Sequence, residues 1–284
     1  MNRALAVAAT GGYWLALVSA VGVLLAPLGY RLGVWDVRFA LLTLVKWATM
    51  ASLAAFVVCL LAAVGGWVRH HRGDRGYAYV GLLLSVLCAG VPLYHYAQAQ
   101  RVPAIHDITT DTVHPPTFVA LGAARTAAPN GLAYEGATVA AAQQRAYPDL
   151  VPYLSPLSPA TLFAQAEAVA RTLGWEIVAA EPQQGRLEAT DTSLLFGFTD
   201  DIVIRITPHA RGSQLDIRSM SRVGRSDVGV NAHRIRRFLT QVAYLGAADN
   251  VSRLPPSRLR EVNQPVIRTL NWFSSPRPRL LACL

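Results

Sequence analysis

The sequence predicts an α+β domain carried behind a membrane anchor of three helices, and three observations carry that reading. Apolar residues crowd into the first hundred positions, in three runs without an Asp, Glu, Lys or Arg, each near the ~20 residues a helix needs to cross ~30 Å of hydrocarbon. From about residue 158 the apolar spacing passes from helical to alternating and back to helical. Turn-forming residues cut the alternating part into four segments, so this half reads α-β-β-β-β-α. Four antiparallel strands with both helices on one face bury the alternating isoleucines and the helix stripes together.

The three runs are Leu5–Leu28, Trp47–Val68 (its helix taken to begin at 45) and Tyr77–Ala97. The first is too long for a signal-peptide apolar region, and two more spans follow it. Trp47, Trp67, Tyr77, Tyr79, Tyr94 and Tyr96 lie near the run ends, where an aromatic belt sits, and Pro92 falls inside the third run. Positive charge on the two sides ties at four each: Arg3, Arg69, Arg72 and Arg75 against Arg31, Arg38, Lys46 and Arg101. The loop RHHRGDR is the densest cluster, which assigns its side to the cytoplasm and the following domain to the outside. The expectation is a multi-pass protein of the inner membrane with an extracytoplasmic domain. Cys59 and Cys88 lie in spans and Cys283 near the end, so no disulfide framework is expected.

Net charge is +9, but the part after Ala97 holds 19 arginines against 15 acids. That balance is too even for a nucleic-acid surface. The expected partners are membrane lipid, an envelope protein or an anionic small molecule, with no nucleic acid and no cofactor.

Residues 99–157 lack a sustained period and read as an irregular arm. Ile105–Phe118 and Tyr147–Leu157 carry apolar anchors and are expected to wrap around the domain. The core, 158–248, opens with Ser158 as N-cap and Pro159 at the first helical position. Leu162, Phe163, Ala166, Val169, Ala170 and Leu173 form its stripe, and Gly174 stops it. Strands follow at Trp175–Ala180 and Arg186–Thr190, with a turn at Gln183–Gly185. Ile202, Ile204 and Ile206 alternate in a third strand and Leu215 and Ile217 in a fourth, joined through Pro208–Gly212 as a hairpin. A helix over Asn231–Gly246 closes the set with Ile235, Phe238, Leu239, Val242 and Leu245 on one face. Residues 249–284, rich in Pro and Arg, read as an extended tail that includes Asn271-Trp272-Phe273.

Several of these segments carry a resemblance. IHDITTD followed by two prolines and Phe118, then Tyr147-Pro148, then FGFTDDIVIRI and SRVGRSDVGVNAHRIRRF, are similar to domain-of-unknown-function family 1499. The resemblance covers roughly Ile105 to Val242, and the three-span anchor resembles that of bacterial members. It implies a membrane-associated envelope protein and implies no activity.

The candidate site is the loop and helix start that hold Arg222, Arg225, Ser226, Asp227, Asn231 and His233. A helix N-terminus offers free N–H groups and partial positive charge, and arginines beside it suit phosphate, sulfate or carboxylate. The competing reading makes Asp227 a helix cap or the ion-pair partner of Arg225, with Ser226 a turn residue. An envelope hydrolase using Ser226 with His233, or the cluster of His106, Asp107 and Asp111, is the alternative, although no nucleophile-elbow glycine pattern surrounds the serine. A second candidate is His106, Asp107 and Asp111, whose spacing matches no metal-site pattern, so no metal is expected. Asp and Thr side chains in such a stretch more often bond their own backbone. Asp200-Asp201 are expected to sit in a solvated turn. As neighbours in a strand they would point to opposite faces.

Overall fold

The structure, a computed structural model, describes residues 3–68, 75–126 and 128–252, with side chains only as far as Ala247 at the C-terminal end. The loop 69–74 and residues 253–284, with Asn271-Trp272-Phe273 and Cys283, lie outside the described residues. The described residues form two compact units: one holds the helices up to Arg101 together with Leu194–Gly197, and the other is a domain of Val102–Ser193 and Phe198 onward.

The first unit holds α1 (Arg3–Arg31), α2 (Lys46–Val68) and α3 (Arg75–Ala99), with a π-helical stretch at Phe39–Val45 running into α2. All three are long and apolar enough to cross a bilayer, and they make this a membrane protein. The second span begins at Phe39, earlier than the expected 45, because FALLTLV adds an apolar stretch before Lys46 and the helix runs on through that single lysine. Small residues point inward: Gly12 and Ala16 of α1, Ala55 and Cys59 of α2, and Gly81, Ser85 and Ala89 of α3. Large apolar side chains such as Trp14, Leu24, Leu61 and Leu83 point outward. Lipid solvates those as well as a protein interior would, so close backbone approach, not burial of bulk, drives the packing. Cys59 marks one tight place among the three helices. A Cβ on Gly12 or Gly81 would fall 2.6 or 2.4 Å from its Sγ.

The second unit is an antiparallel sheet with two helices on one face, the α+β class that the sequence predicts. Its core elements are α5 (Pro159–Thr172), β3 (Glu176–Glu181), β4 (Arg186–Thr192), β5 (Thr199–His209), β6 (Gly212–Ser221) and α6 (Val230–Ser252). Ser158 caps α5 by accepting from the Thr161 N–H. α6 runs six residues beyond the expected Gly246 end, to Ser252.

The strand order is β1-β6-β5-β4-β3, and β2 also pairs with β6. The two short strands, β1 (Asp107–Thr109) and β2 (Tyr153–Ser155), come from the segment read as an irregular arm, so the sheet has six strands where four were expected. That segment also contains a helix, α4 (Ala137–Ala146), and a 3-10 turn at Ala120–Arg125. Register fixes the two faces. Ile202, Ile204 and Ile206 share a face with Ile217, Leu215, Leu187 and Ala189. They pack against Leu162, Phe163 and Val169 of α5 and Ile235, Phe238 and Val242 of α6. Phe238 stacks on Trp175 at 5.2 Å. Each fully buried Ile, Leu or Phe here contributes about 2 kcal/mol by leaving water. Ile105, Ile108, Tyr147, Leu150 and Leu157 of the arm are buried in the same core.

Candidate functional site

Alternation sends the intervening residues to the other face of the sheet: Glu188 of β4, Asp201, Val203 and Arg205 of β5, and Asp216, Arg218 and Met220 of β6. Asp107 of β1 lies on the same face, opposite Met220. Exposed, this face would be an ordinary polar surface. Here the arm lies over it, and Glu188, Asp201, Asp216 and Arg218 are at most 2% exposed. Buried charge requires partners, and the arm supplies them.

Arg218 forms two parallel bonds to Asp107, Nε to Oδ1 at 2.9 Å and Nη2 to Oδ2 at 2.7 Å. It also donates to the carbonyls of Pro116 and Leu132 and lies between the rings of Phe118 and Tyr134. Burial, with the Asp107 charge, pushes the Tyr134 phenol up to about 12. Glu188 accepts from the N–H groups of Val119, Ala120 and Leu121 at 2.9, 3.0 and 2.9 Å. Asp201 takes Arg125 from the arm at 2.7 Å and Arg222 at 2.8 Å. Arg205 bridges Asp111 of the arm and Asp216 at 3.1 and 2.9 Å. A shallow groove of about 170 Å³ remains beside this network, lined by Pro115, Pro116, Thr117, Gln184, Arg186, Val203 and Arg205.

Asp200 and Asp201 are therefore not in a solvated turn: both are buried inside β5. They do point to opposite faces. Asp200 meets Arg234 of α6 at 2.7 Å, while Asp201 meets Arg125 and Arg222.

The loop 222–229 and the start of α6 divide into an inward and an outward set. Asp227 caps the helix: its carboxylate accepts from the N–H groups of Gly229 and Asn231 at 2.8 and 2.9 Å. Burial pushes the Asp227 carboxyl up despite those two bonds. The Gly229 and Asn231 N–H groups are thus held by the chain's own carboxylate and not offered to an external anion. Asn231 is fully buried and donates to the His106 carbonyl and the Ser221 hydroxyl, both at 3.0 Å. Its amide oxygen accepts from Ser219 and Arg234. Ser226 Oγ accepts from the Val228 N–H at 3.2 Å, a local turn bond. Val228 itself has φ 55, a strained value for a β-branched residue that this web of bonds holds in place.

The outward set is Arg225 and His233, both exposed, joined by exposed Arg237 one turn along α6. Partial burial, then the nearby charges of Arg237, Arg236 and Arg234, hold the His233 imidazole below its ordinary value. Among the described residues neither Arg225 nor Arg237 has a carboxylate partner, whereas Arg236 is bonded to Asp149.

Of the six loop residues singled out in the sequence, Arg222, Asp227 and Asn231 serve the fold, Ser226 shapes a turn, and Arg225 and His233 are presented outward. No hydrogen bond joins Ser226 to His233 among the described residues. The second candidate set is split three ways: His106 lies 3.8 Å from Glu135, Asp107 holds Arg218, and Asp111 holds Arg205 and the N–H groups of Val113 and His114. Among the described residues no group of three His, Cys, Asp or Glu is placed to hold a metal ion. Sequence reasoning overlooked Arg125 and Arg234, and misplaced Asp201 in a solvated turn. The signal in reach was the Asp-Asp pair at a strand start, where adjacent carboxylates must serve both faces.

No curated protein matches the chain. The model of one family, described as "Protein of unknown function (DUF1499)", matches residues 107–242. The match begins at the first residue of β1 and ends within α6, so it takes in the arm, the ionic face and the capped loop together. Asp107 to Val242 is thus the stretch of the chain that is similar to this family.

Proposed function

We propose that this protein is a membrane-anchored binding or scaffolding protein of the cell envelope, whose domain contacts anionic groups at the membrane surface through Arg225, His233 and Arg237. The carrying observation is the division within the loop. Buried partners hold Arg222, Asp227 and Asn231, while Arg225, His233 and Arg237 stand exposed as a cationic edge on a fixed backbone. Position supports the same reading. A Cβ on Gly229 would lie 3.4 Å from Val102, and Val102 follows the last residue of α3 by three, a reach of about 10 Å. That short tether keeps the loop within reach of headgroups at the bilayer surface, whose anionic members attract arginine.

We place the domain outside the cytoplasm, on the inner membrane, because the denser basic cluster RHHRGDR lies on the other side of the spans. A reporter enzyme active only outside the cytoplasm, fused C-terminal to α6, tests this: activity is expected, and its absence reverses the orientation. The binding test uses the full chain in nanodiscs with and without anionic lipid. Hydrogen exchange at 222–233 is expected to slow with anionic lipid, and Arg225→Ala with Arg237→Ala should remove the difference. Equal exchange in both discs refutes the headgroup contact. Addition of inorganic phosphate to zwitterionic discs separates a soluble anion from a lipid. Arg222 is left intact in these variants because it holds Asp201.

A further inference from the structure

We infer that the β4–β5 hairpin tip, Leu194-Leu195, is a second, non-covalent membrane contact that dips into the bilayer holding this chain's own spans. Three observations carry it.

The tip is apolar and presented. Leu194 is 71% and Leu195 37% exposed. The loop that carries them is closed at its base: Ser193 N–H donates to the Phe198 carbonyl at 2.8 Å, and Phe198 N–H to the Ser193 hydroxyl at 2.9 Å. Below that base the threonine hydroxyls of Thr192 and Thr199 meet at 3.3 Å. A short, internally bonded loop holds its leucines out at little entropic cost.

The other hairpin turns do not share this character. β3–β4 turns through Pro182-Gln183-Gln184-Gly185 and β5–β6 through His209-Ala210-Arg211-Gly212, both polar. Antiparallel pairing puts those two turns at one end of the sheet and the β4–β5 tip at the other.

The end that carries the apolar tip is the end at which the chain arrives from the membrane. The Thr199 carbonyl, at the foot of the tip, accepts from the Arg222 N–H where β6 runs out, and Asp227 N–H donates to the carbonyl of Ile105, just before β1. Tip, cationic loop and the connection to α3 therefore share one end of the domain. Exposed leucines at that end match an interface in which apolar side chains enter the acyl region. The occupant is the lipid bilayer, because α3 ends only three residues before the domain begins.

This inference rests on the chain being membrane-anchored and does not depend on the headgroup contact proposed above. The test uses the full chain with Cys59, Cys88 and Cys283 replaced by Ala, a single Cys in place of Leu194, and an environment-sensitive fluorophore on it. The control carries its Cys in place of Arg211, at the far end of the sheet. In zwitterionic and in anionic nanodiscs alike, the label at 194 is expected to emit blue-shifted and to be quenched several-fold more by acyl-chain nitroxide lipid than the label at 211. A label at 194 as solvent-exposed as that at 211 overturns the inference. So does one that is shielded but unquenched by lipid, which would mean a protein contact. Insertion in both lipids without any anionic-lipid effect on 222–233 would retain the tip and discard the headgroup contact. A second variant, Leu194→Asp with the label at 195, should restore emission to that of the control.

Discussion

Asp201→Asn is the sharpest perturbation of the domain. The carboxylate is fully buried and holds two guanidinium groups, Arg125 at 2.7 Å and Arg222 at 3.0 and 2.8 Å. Neutralising it leaves the two arginines unequal. The Arg222 side chain is a quarter exposed and turns to water, whereas that of Arg125 has no exposed surface. Burial already pulls Arg125 below its ordinary value and the Asp201 charge opposes that pull, so the variant strands a desolvated cation. Breaking a buried pair from one side costs about 3–5 kcal/mol. At ~1.4 kcal/mol per tenfold, amides of β5 and β6 that exchange by domain unfolding should exchange on the order of 10²–10⁴ faster. The assay is hydrogen exchange by mass spectrometry on the full chain in nanodiscs, with the spans as internal reference. Adding Arg125→Met removes the stranded charge and should recover most of the loss, since a buried pair replaced by apolar side chains is often neutral. A change below about tenfold in the single variant would refute the reasoning, because the field around Arg125 would then not depend on Asp201. An unrecovered double variant would also refute it, by assigning the loss to packing.

Three further outcomes follow from the same geometry. Glu188→Ala removes the acceptor of three backbone N–H groups, so proteolysis and exchange should rise locally at 117–126, by about 1–3 kcal/mol, before the sheet opens. Asp227 tests linkage: its folded-state value is raised, so the folded state holds the proton more tightly than the unfolded chain, and this contribution to stability is full below the ordinary Asp value and lost as pH rises through the raised one. Asp227→Asn should flatten that part of a stability–pH curve, while Asp227→Ala should lose about 1 kcal/mol of capping at every pH. In the spans, Gly81→Ala drives a Cβ to 2.4 Å from Cys59 Sγ, so the chain should unfold at lower denaturing-detergent fraction, with partial recovery in Gly81→Ala with Cys59→Ala, since Tyr13 backbone remains 3.2 Å away.

What could be read without coordinates was what is local. The spans announce themselves by hydropathy, α5 by Ser158-Pro159 and its stripe, and β5 and β6 by isoleucine alternation. The helix-facing half of the sheet is legible for the same reason. The opposite half was not, because alternation marks Asp201, Arg205 and Arg218 as polar and polar residues on one strand face usually meet water. Here their partners lie far along the chain: Glu188 grips a turn 67 residues before it, Asp201 meets Arg125 across 76, and Arg218 meets Asp107 across 111. α4 escaped because ATVAAAQQRA has helix-forming alanines but one large apolar residue, Val139, and no stripe. β1 is three residues long and pairs only because β6 offers an edge. In the candidate loop the residues were well chosen as a segment, but a carboxylate that caps a helix and one that binds a ligand have the same sequence pattern. Only the Gly229 and Asn231 N–H bonds separate the two for Asp227.

The ionic face also explains why the arm is held by charges and not by a second apolar core. An apolar contact tolerates sliding, whereas the Asp107–Arg218 fork, the Glu188 cradle and the Arg125–Asp201 pair each demand one register, and together they pin the arm at three separated points. Such pairs add little net stability against their desolvation, so geometry is what they contribute. Two further bonds tie this pinned arm to the loop: Asn231 to the His106 carbonyl and the Asp227 N–H to the Ile105 carbonyl. Residues 105 and 106 are those through which the chain comes to the domain from α3. Under the proposed contact at Arg225, a bound group would act on a loop whose backbone is hydrogen-bonded to the connection itself. Cutting one of those bonds with Asn231→Ala should loosen both together, so exchange at 104–107 and at 222–231 should rise in parallel. A rise confined to one of the two segments would show that the arm, not the loop, holds the connection in place.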